Sequence, residues 1–557
     1  MKSARLALAA LGALPFLAGE PARADDANRL QIKILSINDF HGNLKPPAAG
    51  LTLPDPADPT KTVKVEAGGS EAMATLVKSL RAKAKHSVFV AAGDLVGASP
   101  LLSALFADEP TIESLSLMGL EMSAVGNHEF DKGAAELLRK QKGGCSSDKA
   151  CLALHPFLGA KFQYLAASTI VKDTGRTLLP PYEIKTFEGI SVGFVGLALK
   201  GTPGVVSPSG VAGLEFRDEA ETVNALVPEL KAKGVEAIVV LIHEGGYPTG
   251  GPNECPSISG PIVDIVKRLD KAVDLVISGH THKAYACVID GRPVTSGDKF
   301  GSMVSEIDVE IDRTSRDVVS TRAQNLVVRV GELAKDADQT ALIASYERVA
   351  QPLIEKPVAR ITASITKAET AAGETPLGNL IADAQLAATR GSDKGGAVIA
   401  LTNPGGIRTD LVRTRDDGTV TYGDVFAVQP FSNMLVTVTL TGAQLHTVLE
   451  QQWLDQPKPR ILQVSEGFAY AWSAGKPVGA RVDPASMRLE DKPIDPKADY
   501  RVTINSFLAD GGDGFKVFPT ARDAVTGMFD VEALEAFLAT AKAPVEPPKT
   551  GRIARGE

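Results

Sequence analysis

The chain has 557 residues, with 59 Lys and Arg against 67 Asp and Glu, and a formal net charge of −8. A content of 44% hydrophobic and 23% charged residues is typical of globular proteins and excludes a disordered or coiled-coil chain. The acidic balance argues against a protein that coats nucleic acid, and no apolar run reaches the roughly 18 residues of a membrane span.

The first 24 residues have the pattern of a secretory signal peptide. Lys2 and Arg5 precede a short apolar segment, and Ala22-Arg23-Ala24 supplies the small residues of a cleavage site. The alternative is a buried N-terminal helix, which the charge placement disfavours. We therefore expect cleavage near Ala24 and a periplasmic or secreted protein.

The four cysteines fit an exported protein, because an oxidising compartment favours disulfides. Three connectivities are possible. The local pair Cys145–Cys151 is preferred, which leaves Cys255–Cys287 as the second pair. The absence of a Cys-x-x-Cys spacing disfavours a cysteine metal site.

Two globular parts follow along the chain. From about residue 30 to 310, short buried-type strands alternate with helix-like stretches, which predicts an α/β layered sheet. A helix over residues 335–356, ended by Pro357, is the predicted linker. A second series of strands and helices begins beyond it. The expected division is a domain over 25–334, the linker over 335–356, a second α/β domain over 357–545 and a loose tail over 546–557.

Five of the eight histidines stand where a predicted strand runs out into a loop. In open α/β sheets, ligands gather at these carboxyl ends. Aspartate and asparagine accompany the histidines, and such a mixture without thiolate suits zinc, manganese or similar divalent ions. The candidate metal ligands are Asp39, His41, Asp94, Asn127, His243, His280 and His282.

The order of these motifs resembles the binuclear metallophosphoesterase signature. It is carried by Asp39-Phe40-His41, Gly93-Asp94, Gly126-Asn127-His128-Glu129, His243 and Gly279-His280-Thr281-His282. In the second half, the segments TNPGGIR (402–408), QPFSN (429–433) and FLADGGDGF (507–515) are similar to the substrate-binding domain of secreted 5′-nucleotidases and UDP-sugar hydrolases. The resemblance implies an N-terminal αββα metallophosphoesterase domain, a linker helix and a C-terminal 5′-nucleotidase domain.

The resemblance also implies roles for individual residues. One metal would be held by Asp39, His41, Asp94 and His282, and the second by Asp94, Asn127, His243 and His280, the ions being zinc, manganese or cobalt. His128 matches the catalytic histidine and Asp131 the carboxylate that orients it. In the second domain the resemblance assigns substrate binding to Asn403, Gly406, Arg408, Phe431, Phe507 and Asp513. One departure is Ala371, where the family carries an arginine; Lys367 is the candidate substitute.

The expected activity is therefore metal-dependent release of phosphate from nucleoside 5′-monophosphates, with UDP-sugars as further candidate substrates. The expected partner is a small nucleotide, with no nucleic acid and no membrane span. Four alternatives remain open: a 2′,3′-cyclic-nucleotide phosphodiesterase, a nucleotide pyrophosphatase, a thiosulfohydrolase of the same build, and a periplasmic protein that only binds nucleotides. The combination of metal ligands with His128 and Asp131 favours an enzyme over a binding protein.

Overall fold

The computed structural model describes residues 28–48, 50–55, 57–58, 61–145, 155–206, 208–431, 433–456 and 458–556. The predicted signal peptide and Cys151 lie outside the described residues. Within these ranges, none of the helices combines the length and the apolar character that crossing a membrane requires.

Two six-stranded mixed sheets form the first domain. The strands of the first sheet, in spatial order, are Val318–Val327, Met303–Asp312, Arg29–Ile37, Ser87–Ala91, Met122–Ala124 and Gln163–Leu165. Those of the second sheet are Ala284–Ile289, Arg292–Gly297, Leu275–Ser278, Ala237–Ile242, Ile190–Leu197 and Tyr182–Phe187. In each sheet four consecutive strands are parallel, so their carboxyl ends meet at one edge.

The two sheets pack face to face between outer layers of helices. Along the strand Arg29–Ile37, Leu30, Ile32 and Ile34 join a buried core that includes side chains of the second sheet, whereas Leu35 and Ile37 join a core with the helices. This alternation follows from the opposite directions of successive side chains in a strand. The strand Ala237–Ile242 is apolar and buried throughout, as expected of a central parallel strand. The predicted αββα α/β fold is confirmed.

Several helices begin at a residue whose side chain caps the first turn. Asp218 accepts a hydrogen bond from the backbone of Glu221, and Asp336 accepts one from Gln339, which satisfies amide groups that a helix leaves unpaired. The helices are Ser70–Ala82, Leu101–Ala104, Glu109–Met118, Gly133–Lys142, Glu219–Ala232, Pro261–Arg268, Ala337–Ile354, Pro376–Thr389, Tyr422–Val428, Gly442–Glu450, Ser506–Ala509 and Asp530–Ala539.

The helix Ala337–Ile354 corresponds to the predicted linker helix. It buries Ile343, Tyr346 and Ala350 in the core of the first domain. The Tyr346 hydroxyl donates a hydrogen bond to Glu113 at 3.0 Å. The helix therefore packs against the first domain. This contact fixes the position of the chain just before the second domain begins.

The second domain is built on a five-stranded and a four-stranded sheet. Their strands, in spatial order, are Gln463–Val464, Ile399–Thr402, Asp499–Asn505, Met434–Thr441 and Arg522–Phe529, and then Lys492–Pro493, Arg488–Leu489, Phe468–Ser473 and Ile553–Gly556. A small sheet of the second domain pairs Pro357–Arg360 with Thr419–Thr421. Two further small sheets lie in the first domain. They consist of Leu214–Phe216, Thr169–Val171 and Arg176–Thr177, and of Leu51–Pro54 and Thr62–Val65.

The expectation of a loose tail over 546–557 is wrong for its last described residues. The strand Ile553–Gly556 pairs in parallel with Phe468–Ser473, and Ile553 is buried at 3% exposure. Glu374 accepts hydrogen bonds from the backbone of Gly551 and Arg552. The proline and lysine content predicted a loop, but backbone pairing with a distant strand holds the segment.

Cys255 and Cys287 form a disulfide, the second pair that the sequence favoured. It ties the loop after Ala237–Ile242 to the strand Ala284–Ile289. Cys145 is also disulfide-bonded, and Cys151, its expected partner, lies outside the described residues.

We expect a double variant, Cys255→Ser with Cys287→Ser, to lower the free energy of unfolding of the first domain by about 2–4 kcal/mol, because the disulfide closes a long loop in the unfolded chain. Urea unfolding of both proteins without reductant measures the difference. The double substitution leaves Cys145 untouched, so this measurement isolates one disulfide. Equal urea midpoints would show that the bond does not stabilise the domain.

Candidate functional site

The site lies at the shared carboxyl edge of the parallel strands. Asp39, Asp94 and Asn127 follow strands of the first sheet, and His243 and His280 follow strands of the second. Five of the predicted metal ligands have left-handed backbone, with φ of 51° at Asp39, 46° at His41, 49° at Asp94, 71° at His280 and 54° at His282. Non-glycine residues seldom adopt this conformation, and such strain concentrates at functional sites.

One group of donor atoms consists of Asp39, His41 and His282. Nε2 of His282 lies 3.4 Å from Oδ1 of Asp39 and 3.3 Å from Nε2 of His41. Nδ1 of His41 donates to the carbonyl oxygen of Gly97 at 2.9 Å. This bond places the proton on Nδ1, so the Nε2 lone pair faces the group, as a metal ligand requires.

A second group consists of Asp94, Asn127, His243 and His280. Nε2 of His243 lies 3.0 Å from Oδ2 of Asp94 and 3.2 Å from Oδ1 of Asn127. Nδ1 of His243 donates to the carbonyl of Ala92 at 2.8 Å, which again presents Nε2 inward. Candidate ligand atoms of Asp94, His243 and His280 all lie within 4.8 Å of one another.

Asp94 connects the two groups. Its Oδ2 is also 3.5 Å from Nε2 of His41, so one carboxylate borders both sets of donors. Burial opposes ionisation of Asp94, yet the neighbouring histidines hold its pKa well below the usual range. Burial likewise lowers the pKa of His280 to about 3 and that of His282 to about 4, which keeps both imidazoles neutral. Neutral imidazole and ionised carboxylate are the ligand forms of divalent metals. At His243 burial opposes the charge, but Asp94 and Asp39 raise the pKa to about 10, so binding of a metal there would release a proton.

His128 and Asp131 lie beside the second group. Nδ1 of His128 and Oδ2 of Asp131 are 2.7 Å apart, and the His128 backbone amide donates to Oδ1 of Asp94 at 2.9 Å. Burial opposes the charged imidazole, but Asp131 and Asp94 raise the pKa of His128. The pair therefore has the geometry of an imidazolium oriented by a carboxylate, with Nε2 as the proton-donating atom.

Glu129, to which the sequence assigned no role, supports the loops that carry the ligands. Its carboxylate accepts backbone hydrogen bonds from Gly126 and Leu95 at 2.7 Å and from Asp94 at 3.0 Å. The side chain is 1% exposed. The position of Glu129 in the Gly-Asn-His-Glu motif was the one sequence feature that pointed to a role. The motif does not reveal its partner, because the loop that Glu129 binds lies more than 30 residues earlier in the chain.

Arg408 brings a charged side chain of the second domain to this site. Its Nε and Nη2 are buried and have no hydrogen-bond partner in the described part of the chain. Burial lowers the pKa of Arg408, while Asp94, Asp39 and Asp131 counteract this through their charges. A buried guanidinium without a partner is costly, so the arrangement is suited to an anion that is not part of the protein.

Two predicted substrate residues of the second domain contact each other. Nδ2 of Asn403 donates to Oδ2 of Asp513 at 2.7 Å, and Arg460 forms an ion pair with the other Asp513 oxygen. Gly406 lies against Asn403, since a Cβ at Gly406 would be 2.9 Å from its Oδ1. Asp513 is thus engaged by protein groups on both oxygens, a feature that the sequence did not indicate.

The two predicted stacking phenylalanines have different surroundings. The ring of Phe431 stacks on His128 with 5.9 Å between centroids and an interplanar angle of 25°. Phe507 lies against Gly512, where a Cβ would be 2.5 Å from ring atoms. Both rings are partly exposed, unlike the fully buried phenylalanines of the core.

Lys367 and Ala371 are placed apart. Nζ of Lys367 donates to the carbonyl of Ile407 at 2.6 Å, beside Arg408. Ala371 instead lines a surface pocket with Arg555, which donates to its carbonyl at 3.4 Å. Lys367 therefore supports the backbone that carries Arg408, whereas Ala371 contributes to a different surface.

Comparisons with known proteins agree with this geometry. Residues 32–284 match the model of the calcineurin-like phosphoesterase family, and residues 357–520 match that of the 5′-nucleotidase C-terminal domain. The chain belongs to the metallophosphoesterase–5′-nucleotidase family. The matched phosphoesterase region, residues 32–284, contains all seven candidate metal ligands.

Individual relatives of the family cover most of the chain. A 5′-nucleotidase of Vibrio cholerae is 26% identical over 97% of this chain and 96% of its own length. The structure of a 5′-nucleotidase precursor from Thermus thermophilus superposes with a TM-score of 0.77 at 27% identity, covering 94% of this chain and 99% of that one. Endonuclease YhcR of Bacillus subtilis is 34% identical over 94% of this chain, but the match spans only 41% of its length. A cell wall protein of Listeria monocytogenes, 31% identical over 89% of this chain, is spanned over 65% of its length.

The residues present fit the divalent metals that the family uses. The donors are imidazole nitrogens and carboxylate or amide oxygens, with backbone carbonyls fixing the tautomers of His41 and His243. Three overlapping groups of possible ligands are seen among the described residues: Asp39, His41 and His282; His41, Asp94 and His128; and Asp94, His243 and His280.

Proposed function

We propose that this protein is an exported enzyme that releases inorganic phosphate from nucleoside 5′-monophosphates at a site for two divalent metal ions. The observation that carries the proposal is the stacking of Phe431, from the second domain, on His128 of the first. The Phe431 ring could therefore stack on the nucleobase of a substrate whose leaving oxygen is protonated by His128. The name of the Vibrio cholerae relative, a 5′-nucleotidase, supports the same substrate class.

In the proposed reaction, Asp39, His41, Asp94 and His282 would hold one ion, and Asp94, Asn127, His243 and His280 the other. Bound divalent ions lower the pKa of a water molecule and offset the charge of a phosphate ester. Arg408 binds phosphate oxygens with its guanidinium fork. His128, oriented by Asp131, donates a proton from Nε2 to the ester oxygen of the leaving nucleoside, because an alkoxide leaves poorly without one.

A substrate screen tests the proposal against its rivals. AMP, UDP-glucose, 2′,3′-cyclic AMP and thiosulfate are each incubated with protein loaded with Mn²⁺, Zn²⁺ or Co²⁺, and product release is measured. We expect AMP to have the highest kcat/KM. Hydrolysis of thiosulfate or of the cyclic ester alone would replace this function by another of the same chemistry. Tight AMP binding without turnover for every metal would favour a binding protein.

Stacking by Phe431 and Phe507 predicts a substrate-dependent effect. Phe431→Ala and Phe507→Ala are each expected to weaken AMP hydrolysis by about 1–3 kcal/mol, mostly through KM, because each base–aromatic stack contributes that amount. A small aryl phosphate has no base and is expected to lose much less. The measurement is kcat/KM for both substrates.

A matched control for these variants is Phe529→Ala, which removes a 40% exposed ring of the same domain. It is expected to leave both substrates unaffected. If Phe431→Ala and Phe507→Ala slow AMP and the aryl ester equally, the two rings serve packing and the stacking role is wrong.

Export is the remaining part of the proposal. The Cys255–Cys287 disulfide supports it, since such bonds persist in oxidising compartments. N-terminal sequencing of protein from the periplasm or medium is expected to begin at Asp25. Retention of Met1 in a cytoplasmic fraction would contradict export.

A further inference from the structure

Phe300 occupies a conformation that its residue type disfavours. It follows the strand Arg292–Gly297 and has a φ of 58°, in the left-handed region that bulky side chains rarely adopt. Its amide donates to the carbonyl oxygen of Asp39 at 2.8 Å. The ring lies edge-on to His41 and His282, with centroid distances of 6.0 and 5.9 Å. Phe300 is thus anchored directly to the segments that carry the metal ligands, where strain indicates a function.

Two cations share the ring of Phe300. Cζ of Arg408 lies 5.4 Å from its centroid, and Nζ of Lys299 lies 5.1 Å from it. Lys299 belongs to the first domain and Arg408 to the second. A cation over an aromatic ring is attracted by the ring quadrupole, most strongly where water is excluded. Phe300 therefore joins one cation of each domain beside the metal ligands.

Lys299 and Arg408 lie near aspartate carboxylates but form a salt bridge with none of them among the described residues. Arg408 also leaves Nε and Nη2 buried there without a hydrogen-bond partner. Burial lowers the pKa of Lys299; the Asp298 carboxylate counteracts this, and the charge of Arg408 lowers the pKa further. Lys367 differs, because its ammonium group donates to the carbonyl of Ile407. The charge of Arg408 disfavours the charged form of Lys299, and a bound anion would relieve this repulsion.

We propose that Lys299 is a second phosphate-contacting cation of the site, and that Phe300 is the residue that positions both Lys299 and Arg408. The ligand is the phosphate group of the ester, so the inference rests on the proposed phosphohydrolase function. Arg408 supplies a planar fork and Lys299 a mobile point charge, and a phosphate dianion has enough acceptor oxygens for both. Because Lys299 and Arg408 carry like charges, a bound phosphate also offsets the repulsion between them. Since they belong to different domains, the phosphate would contact both domains.

Inorganic phosphate is the probe that tests the proposal. The metal-loaded full-length protein and its Lys299→Ala, Phe300→Leu and Phe300→Tyr variants are titrated with phosphate by calorimetry. We expect Lys299→Ala and Phe300→Leu each to weaken phosphate binding by about tenfold, the size expected for a desolvated cation contact. Phe300→Tyr retains the aromatic face and is expected to stay within about twofold of the wild type. Lys172→Ala, which removes an exposed lysine elsewhere, is the control.

A coupling experiment separates positioning from packing. In a protein that already carries Lys299→Ala and Arg408→Ala, Phe300→Leu is expected to cause no further loss of phosphate binding, because both cations that it positions are gone. An additional tenfold loss would show that the ring acts in another way and would overturn its positioning role. Equal losses for Phe300→Leu and Phe300→Tyr would do the same.

The result does not depend on the nucleotide assignment. The Lys299→Ala and Phe300→Leu changes are expected to raise KM for AMP and for a small aryl phosphate by the same factor, since both esters present a phosphate. If AMP is not hydrolysed, the nucleotide proposal fails, while phosphate titration and the aryl ester still decide the role of Lys299. Unchanged phosphate affinity in Lys299→Ala would overturn that role.

Discussion

Replacement of Asp94 by asparagine is expected to lower kcat/KM for AMP by about a thousandfold or more. Its carboxylate borders both groups of donors, with Oδ2 at 3.0 Å from His243 and 3.5 Å from His41. An amide carries no charge and weakens both metal positions together, and metal ions contribute several kcal/mol of charge stabilisation to the reacting phosphate. The measurement is kcat/KM together with the metal content of the dialysed protein.

The matched control for this variant is Asp264→Asn, which changes an aspartate whose side chain is 75% exposed. It is expected to retain activity and metal. Treatment of the wild type with a chelator is expected to abolish activity, and added divalent metal to restore it. Full activity in metal-free protein, or an Asp94→Asn protein with normal turnover, would contradict the two-metal proposal.

Removal of the His128 imidazole is expected to affect two substrates unequally. His128→Ala should lower kcat for AMP by about a hundred- to ten-thousandfold, the usual contribution of a positioned acid. Hydrolysis of an aryl phosphate should fall much less, because a phenolate leaves readily without protonation. The measurement is kcat for both substrates in wild type and variant.

Asp131→Asn provides the companion to this experiment. It retains the shape of the residue but removes the charge that faces Nδ1 of His128 at 2.7 Å. It is expected to repeat the same substrate pattern with a smaller loss. If His128→Ala slows AMP and the aryl ester by the same factor, His128 stabilises the phosphate and does not protonate the leaving group.

The candidate ligand set could be predicted from the sequence because its signal is local. Asp39, Asp94, Asn127, His243 and His280 each follow a strand whose apolar run is visible in the sequence, and parallel strands bring their carboxyl ends to one edge. The order of the motifs along the chain also indicated the protein family. Residue type and strand position together therefore determined the α/β fold and the candidate metal site.

Only the tertiary structure decided which atoms of these residues face the site. The carbonyls of Gly97 and Ala92 hold Nδ1 of His41 and His243, and so turn Nε2 inward. Gly97 lies 56 residues from His41, and Ala92 lies 151 residues from His243. Every residue has a backbone carbonyl, so the amino-acid sequence does not reveal which carbonyl contacts a histidine.

The same reason explains the unforeseen residues at the domain boundary. Lys299 and Phe300 follow a strand of the first domain, as the ligands do, but a lysine and a phenylalanine do not indicate chemistry on their own. Their significance arises when Arg408, more than 100 residues later, reaches the ring of Phe300. The sequence by itself determined the strands, the turns and the ligand types. The packing of one domain against the other decided which charges meet, because that contact depends on whole surfaces and leaves no local pattern.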